Sequence, residues 1–223
     1  MSPARSPGPR PALTRDRVVA EAVAFADEHG IDALSMRKLA QALGVEAMSL
    51  YHHVANKDDL LDGMVDAVFA EIDRPAPDGP WQDEVRGRCV SLRAAMLRHP
   101  WAVGRLDSRR SPGPGTLGHH DAMIACLRGG GVPVEVAALA FATLDAYVYG
   151  FALQELAIPR RPDEGWDELA DDVLSQQPMD EFPHLAAFAA EVVAEPDYDF
   201  AANFEPGLDL VLDAFARRVE PAP

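Results

Sequence analysis

Residues 35–57 contain the pattern that most constrains the fold, because two short apolar segments there are joined by a glycine corner. Ser35 is a good helix N-cap, and apolar residues follow it at the spacing of one helix face: Leu39, Ala40 and Leu43. Gly44 supplies the backbone freedom that a tight corner needs. Beyond it, Leu50 and Val54 are the apolar positions that tie a second helix to the first. The segment therefore predicts a helix, a turn and a second helix.

The second helix of this pattern leaves an unusual set of side chains facing outwards. They have little reason to be exposed in a plain helical bundle: Ala47, Met48, Ser49, Tyr51, His52 and His53. A DNA major groove accepts a helix with such a face. The same corner occurs in many all-helical proteins, so the corner by itself leaves both interpretations open.

The flanking segments favour DNA binding. Thr14 to His29 has the pattern of an amphipathic helix that ends at Gly30. Asn56 is the N-cap of a further helix, whose apolar stripe comprises Leu60, Leu61, Met64, Val65, Val68 and Phe69. Residues 14–74 are therefore expected to form a helix-turn-helix domain in which three helices surround one recognition face.

Residues 13–73 closely resemble the DNA-binding domain of the TetR family of transcriptional regulators, and within it the tetracycline repressors. The matching motifs are Arg37-Lys38-Leu39-Ala40-Gln41, Leu43-Gly44-Val45-Glu46, Leu50-Tyr51, His53-Val54 and Asn56-Lys57. The resemblance implies an all-α fold, with this domain followed by a helical ligand-binding and dimerisation domain. It also implies that Arg37 and the six outward residues face the DNA groove, while Lys57 holds a phosphate.

Several positions depart from the tetracycline repressors. Ala47 and Met48 stand where those proteins have glutamine and proline, and His52 replaces a tryptophan, so a different operator is expected. Arg88 and Leu92 stand where asparagine and phenylalanine are expected, and residues 103–106 lack the magnesium-binding histidine. The departures predict that tetracycline with magnesium is not the effector.

The net charge of −16 opposes DNA binding, but the charge is unevenly distributed. Residues 1–57 contain seven basic and six acidic side chains, which leaves +1 there and −17 in the remainder. The chain's two lysines, Lys38 and Lys57, both lie in the helix-turn-helix segment. With so few cations, affinity for DNA is expected to be modest and strongly dependent on salt.

The remaining chain predicts a terminal arm and a second domain. Residues 1–13 are Pro-rich and read as a disordered arm, or alternatively as one that lays Arg5 and Arg10 along the minor groove. Turn-forming residues at 75–80 mark a boundary, and residues 75–223 are the expected regulatory and dimerisation domain. Its predicted helices cover residues 81–98, 101–108, 117–128, 133–157, 167–175, 183–194 and 203–219. The helix at 133–157 is apolar, but its acidic residues favour burial in protein over a membrane span.

Two surfaces in this second domain are expected to bind partners. The helices at 133–157 and 203–219 are candidates for a homodimer interface, the second through a stripe of Phe204, Leu208, Val211, Leu212, Phe215 and Val219. The alternative is that both stripes face the chain's own core, and the resemblance favours the dimer. A small-molecule effector is expected to bind among Leu92, Met96, Trp101, Met123, Phe141, Thr143, Tyr147 and Phe151.

Enzymatic and cofactor-dependent functions are not expected, and no catalytic or metal-binding residue is assigned. Adjacent His119 and His120 point in different directions from a helix, and no other ligand cluster has recognisable spacing. Cys89 and Cys126 are expected to be buried thiols of a cytoplasmic protein, with a redox switch between them as the alternative. The rival to a DNA-binding regulator is a helical ligand- or protein-binding dimer with vestigial DNA contacts.

Overall fold

The computed structural model describes residues 12–106, 112–159, 165–166, 168–169, 174–193, 195 and 198–219. Within these residues every regular element is helical and no strand occurs, which confirms the all-α prediction. The α-helices are α1 Arg15–His29, α2 Met36–Leu43, α3 Ala47–Leu50, α4 Lys57–Ala70, α5 Trp81–Arg98, α6 Pro114–Gly129, α7 Val134–Ala157, α8 Pro183–Phe188 and α9 Phe204–Val219.

The chain forms two compact units. The first comprises Met1–Arg74 with Ala94–Ala122, and the second comprises Pro75–Arg93 with Met123–Pro223. Helices α5 and α6 therefore each contribute residues to both units.

Helices α1, α2 and α4 begin after side-chain caps, of which Ser35 and Asn56 were predicted as caps, and α1 and α2 end at glycines. The side chains of Thr14, Ser35 and Asn56 each accept a hydrogen bond from a backbone N–H in the first turn of α1, α2 and α4. Gly30 ends α1 and Gly44 ends α2, both at positive φ, where a Cβ would be strained. Three side-chain N-caps and two glycine C-caps thus set the helix boundaries of the helix-turn-helix domain.

Helix α3 is shorter than predicted, because it ends at Leu50 and leaves Tyr51, His52 and His53 in the following turn. The backbone N–H groups of Tyr51 and His52 bond to carbonyls three residues earlier, which tightens the last turn. Leu50 and Val54 are buried as predicted, and α3 packs against α2. The predicted recognition face is therefore a short helix followed by a tight turn.

Helix boundaries beyond residue 80 agree with prediction in part. Helices α5, α6, α7 and α9 lie where the apolar periodicity places helices, although α6 begins three residues earlier. The prediction of a helix at 101–108 is wrong for the residues of it that the structure describes. Pro100–Ala102 is a single 3₁₀ turn, and Gly104 then has a positive φ. The helix predicted at 183–194 is α-helical to Phe188 and continues as a π-turn over Ala189–Val193.

Some predictions fall wholly or largely outside the described residues. These are the disordered arm at 1–13, apart from its last two residues, and most of the helix at 167–175. The domain boundaries at residues 13 and 74 stay predictions.

The apolar faces of α7 and α9 differ from the expectation for a dimer. Phe204, Leu208, Leu212 and Phe215 of α9 are buried in the chain's own core, so the stripe predicted for the interface packs within one subunit. Exposed apolar side chains remain instead at Val134, Leu139, Leu153 and Leu156 of α7 and at Leu210 of α9. Among the described helices, α7 is long and apolar enough to cross a membrane by length and composition.

Candidate DNA-binding surface and effector-binding core

The first unit presents the predicted recognition residues on one outward-facing segment. Met48 is 73% exposed and Tyr51 45% exposed, and His52 is also exposed. Ala47, Ser49 and His53 are half-buried, since they also pack on the frame of the domain. Met48 and Tyr51 both belong to the set expected to contact DNA.

Two cations flank this segment. Arg37 is exposed in the first turn of α2, and Lys57 is the first residue of α4. The Lys57 Nζ donates to the backbone carbonyl of Leu34 at 3.0 Å, which holds the ammonium beside the start of α2. The α4 N-terminus adds its own partial positive charge at the same place.

A brace between α1 and α4 fixes the turn that follows α3. Arg15 donates to both carboxylate oxygens of Asp59, at 2.9 and 2.7 Å, and to the carbonyl of His53 at 3.1 Å. The Asp59 carboxylate also accepts from the backbone N–H of Ala55. The hydrogen bond from Arg15 holds the pKa of Asp59 below its usual range. The sequence does not predict this brace, because no local pattern connects residues 44 positions apart.

The core of the second unit contains a buried ion pair. Arg88 on α5 donates through Nη1 to the Asp145 carboxylate on α7, and the Arg88 side chain has no exposed area. Burial disfavours the guanidinium charge, but Asp145, together with Cys89 and Tyr149, more than compensates and raises the pKa of Arg88. The guanidinium carbon also lies 5.9 Å from the ring centre of Phe141. A charged centre thus lies beside Phe141, one of the residues predicted to bind an effector.

An aromatic cluster lies further along α7 in the same unit. The Tyr147 hydroxyl donates to the Phe204 carbonyl at 2.8 Å, and the two rings stack at 5.5 Å. Arg93 lies over the Phe204 and Phe151 rings and makes two hydrogen bonds to Glu155. The cluster binds α5, α7 and α9 together.

The eight predicted effector-binding residues are divided between the two units. Met96 and Trp101 belong to the first unit, and Trp101 donates through Nε1 to Asp27 at 2.6 Å. The other six belong to the second unit: Leu92, Met123, Phe141, Thr143, Tyr147 and Phe151. Leu92 and Met123 are fully buried, while the remaining four are half-buried.

The sequence did not predict an apolar cavity that the second unit contains. It has a volume of about 250 Å³ and lies in the second unit, with Trp166, Leu185, Phe188 and Tyr198 among its lining residues. None of the predicted effector-binding residues lines it.

Both cysteines are buried and free, as predicted. Burial raises the pKa of the Cys89 thiol to about 11, despite the nearby Arg88 guanidinium, and also raises the pKa of Cys126. Both thiols therefore stay protonated and weakly nucleophilic at neutral pH.

The histidine pair at 119 and 120 has a packing role. His119 is fully buried, and both rings lie 5.5 Å from the ring of Phe69 on α4. Across the described ranges, no group of three or more His, Cys, Asp or Glu residues is arranged to hold a metal ion.

A capped helix-turn-helix with an exposed recognition segment, followed by a helical domain with an aromatic and charged core, defines a class of DNA-binding transcriptional regulators. Two family descriptions match the sequence: "Bacterial regulatory proteins, tetR family" over residues 18–64 and "Tetracyclin repressor-like, C-terminal domain" over residues 74–219. The chain belongs to the TetR family.

Similar proteins of known sequence and structure agree with this assignment. An HTH-type transcriptional regulator of Saccharopolyspora erythraea is 34% identical over 209 residues, covering 93% of this chain and 86% of that protein. The HTH-type transcriptional repressor DrrR1 of Streptomyces coeruleorubidus is 33% identical over 232 residues, covering 98% of this chain and 84% of that protein. Among solved structures, the Streptomyces coelicolor TetR family protein ActR in complex with actinorhodin superposes on this chain with a TM-score of 0.76. Its sequence is 32% identical, and the match covers 94% of this chain and 100% of that chain. The chain is a ligand-responsive, DNA-binding transcriptional repressor by class.

Proposed function

We propose that this chain binds a near-palindromic operator as a homodimer in the cytoplasm and is released from it by a small molecule. Its DNA contacts are made by Arg37, Ala47, Met48, Ser49, Tyr51, His52, His53 and Lys57. The effector binds in the C-terminal core and favours an arrangement of the helix-turn-helix domains that fits DNA less well. Such an effector needs different affinities for the two arrangements, because equal binding shifts no equilibrium.

One observation carries the DNA-binding proposal. The exposed Met48 and Tyr51 are presented by a frame whose caps and Arg15–Asp59 brace leave little freedom to the segment between α2 and α4. A rigid segment reduces the entropy lost on binding, which is the advantage of a preformed recognition surface. Arg37 and Lys57 lie at its edges, where phosphates would pass.

A dimer fits the exposed apolar side chains of the second unit. Leu153 of α7 is 59% exposed and Leu210 of α9 is 71% exposed, so a second copy packed on these helices would cover them. A two-fold dimer presents two recognition segments, and its half-sites are expected about 34 Å apart or at a multiple of that spacing.

The test is selection of DNA fragments by the purified chain at low salt, beside an Arg37→Ala, Lys57→Ala variant. A palindromic motif enriched by the native chain and lost in the variant would support sequence-specific binding by a dimer. No enrichment, or equal enrichment by both proteins, would contradict it. The second outcome would favour the rival function, a helical ligand- or protein-binding dimer with vestigial DNA contacts.

Met48→Ala is expected to relax base preference at one or two positions of each half-site. Ala47 and Met48 offer few hydrogen bonds to base edges, so apolar contact with thymine methyl groups and DNA shape carry much of the readout there. The measurement is the motif selected by the variant, with Leu117→Ala as a control that removes an exposed apolar side chain of the first unit outside the recognition segment. A motif unchanged by Met48→Ala counts against the proposal.

Tetracycline with magnesium is not expected to be the effector. A tetracycline repressor of Escherichia coli, class A, is 32% identical over 210 residues and covers 92% of each chain. Nevertheless, the Arg88 guanidinium of this chain forms an ion pair with Asp145, and residues 103–106 contain no histidine to bind magnesium. Calorimetric titration with tetracycline and magnesium should give no binding heat, and tight magnesium-dependent binding would overturn this prediction.

A further inference from the structure

The first unit contains a polar cluster around the buried His99 that the recognition surface does not use. We call it the His99 clasp, and its members are Asp27, Glu71, Arg98, His99 and Trp101. The His99 ring is buried between two carboxylates. Its Nδ1 lies 2.8 Å from Asp27 Oδ1, and its Nε2 lies 3.1 Å from Glu71 Oε2.

The two carboxylates are held in place by other donors. Trp101 Nε1 donates to the same Asp27 oxygen at 2.6 Å, and Arg98 Nη2 donates to the same Glu71 oxygen at 2.9 Å. Burial would raise the pKa of Glu71, but the hydrogen bonds from Arg98 and His99 outweigh it and hold that pKa below its usual range. Both carboxylates therefore face His99 as acceptors.

This geometry selects one protonation state of the ring. An ionised carboxylate only accepts hydrogen bonds, and a neutral imidazole donates from one nitrogen alone. Donation to Asp27 and Glu71 together requires both ring N–H groups, which only the imidazolium has. In the neutral ring, one bare nitrogen would face a carboxylate oxygen, so one of the two contacts would be lost.

The clasp connects the elements that support the recognition segment. Asp27 lies in the C-terminal part of α1, Glu71 directly follows α4, and Arg98 is the last residue of α5. His99 and Trp101 lie in the short turn after α5, where their rings meet edge to face. Since α1 and α4 both pack in the helix-turn-helix frame, the clasp fixes the C-terminal end of α1 relative to the end of α4.

We propose that His99 is a positioning residue for DNA binding, whose imidazolium holds α1 and α4 in the DNA-competent arrangement, so that operator affinity falls as pH rises and the ring loses a proton. The inference rests on the proposed DNA-binding function. The charged groups facing the ring are Asp27 from α1, Glu71 from the end of α4 and, through Glu71, Arg98 from α5. The protonated ring completes both contacts, so the clasp is intact on the acid side and is released on the alkaline side.

The first experiment needs no DNA. Nuclear magnetic resonance of the full chain, with ¹⁵N-labelled histidine, reports the protonation of each of its seven imidazole rings. The signal lost in a His99→Gln variant identifies His99. At the acid end of the range, about pH 6, we expect both of its nitrogens to be protonated, and a ring with one bare nitrogen at that pH would overturn the inference.

The second experiment measures the affinity for the selected operator fragment at constant ionic strength between about pH 6 and pH 8.5. Over this interval, the fall in affinity of the native chain should exceed the fall in affinity of His99→Gln by a factor of about five. This size is typical of coupling between distant elements. A His184→Gln variant is the matched control, because His184 is an exposed histidine of α8 in the second unit, outside the proposed DNA contacts. It should keep the part of the pH dependence that His99→Gln loses.

The outcomes separate this inference from the proposed function. Native protein that binds the operator with the same pH profile as His99→Gln overturns the positioning role alone. Native protein that selects no DNA overturns the proposed function, and the positioning role with it. If His99→Gln does not fold, Asp27→Asn provides both the assignment and the pH profile, because it removes one of the two carboxylates and keeps the ring.

Discussion

An Asp145→Asn variant is expected to lose about 3–5 kcal/mol of the free energy of unfolding. The Asp145 carboxylate accepts a hydrogen bond from Arg88 Nη1, and the Arg88 side chain is fully buried. Asparagine has nearly the same size but no charge, so the guanidinium would stay buried without its counter-charge. The loss should appear as a lower urea midpoint in the helical circular dichroism signal.

Two further variants show whether charge or packing causes this loss. Replacing both partners, Arg88→Met with Asp145→Leu, removes the charges and retains apolar volume, and is expected to stay within about 2 kcal/mol of the native chain. Arg86→Met breaks the exposed ion pairs with Glu205 and Asp209 and should cost less than about 1 kcal/mol. If the double variant were as unstable as Asp145→Asn, the cause would be packing and the prediction would be wrong.

The helix-turn-helix could be predicted closely because its determinants are local. Thr14, Ser35 and Asn56 cap the helices that follow them, and Gly30 and Gly44 end the helices before them. Each of these signals lies within a few residues of the backbone group that it satisfies. The end of α3 was missed, because Tyr51 to His53 continue an apolar and aromatic pattern that a tight turn accommodates as well as a helix.

For the core of the second unit, the sequence predicts which helix faces are apolar but not which faces or side chains contact each other. Arg88 falls among the apolar positions of α5, and Asp145 interrupts the apolar run of α7, so each residue was conspicuous alone. Their pairing depends on contacts between residues 57 positions apart, which no pattern within one helix encodes. The stripe on α9 was assigned to a dimer for the same reason, since periodicity identifies an apolar face without identifying what covers it.

Replacing Arg37 and Lys57 together by alanine is expected to lower operator affinity about 100-fold at low salt and to flatten its salt dependence. A dimer would lose four cations, and each lost phosphate contact lowers the slope of log affinity against log salt by roughly 0.9. The slope should therefore fall by roughly two to four units, depending on whether Arg37 binds a phosphate or a base. The measurement is a series of binding isotherms on the selected fragment at increasing salt.

The matched control for this experiment is Arg217→Ala, Arg218→Ala, which removes two exposed cations from the last turn of α9. Both variants change the formal net charge from −16 to −18, because each removes two positive charges. Long-range repulsion of DNA by the acidic chain therefore increases equally per subunit, and only local contacts differ. If the two variants lost affinity and salt dependence equally, net charge would explain the result, and Arg37 and Lys57 would have no direct part in binding DNA. A loss confined to the Arg37, Lys57 variant would instead show that an acidic protein binds its operator through a few cations placed beside one recognition segment.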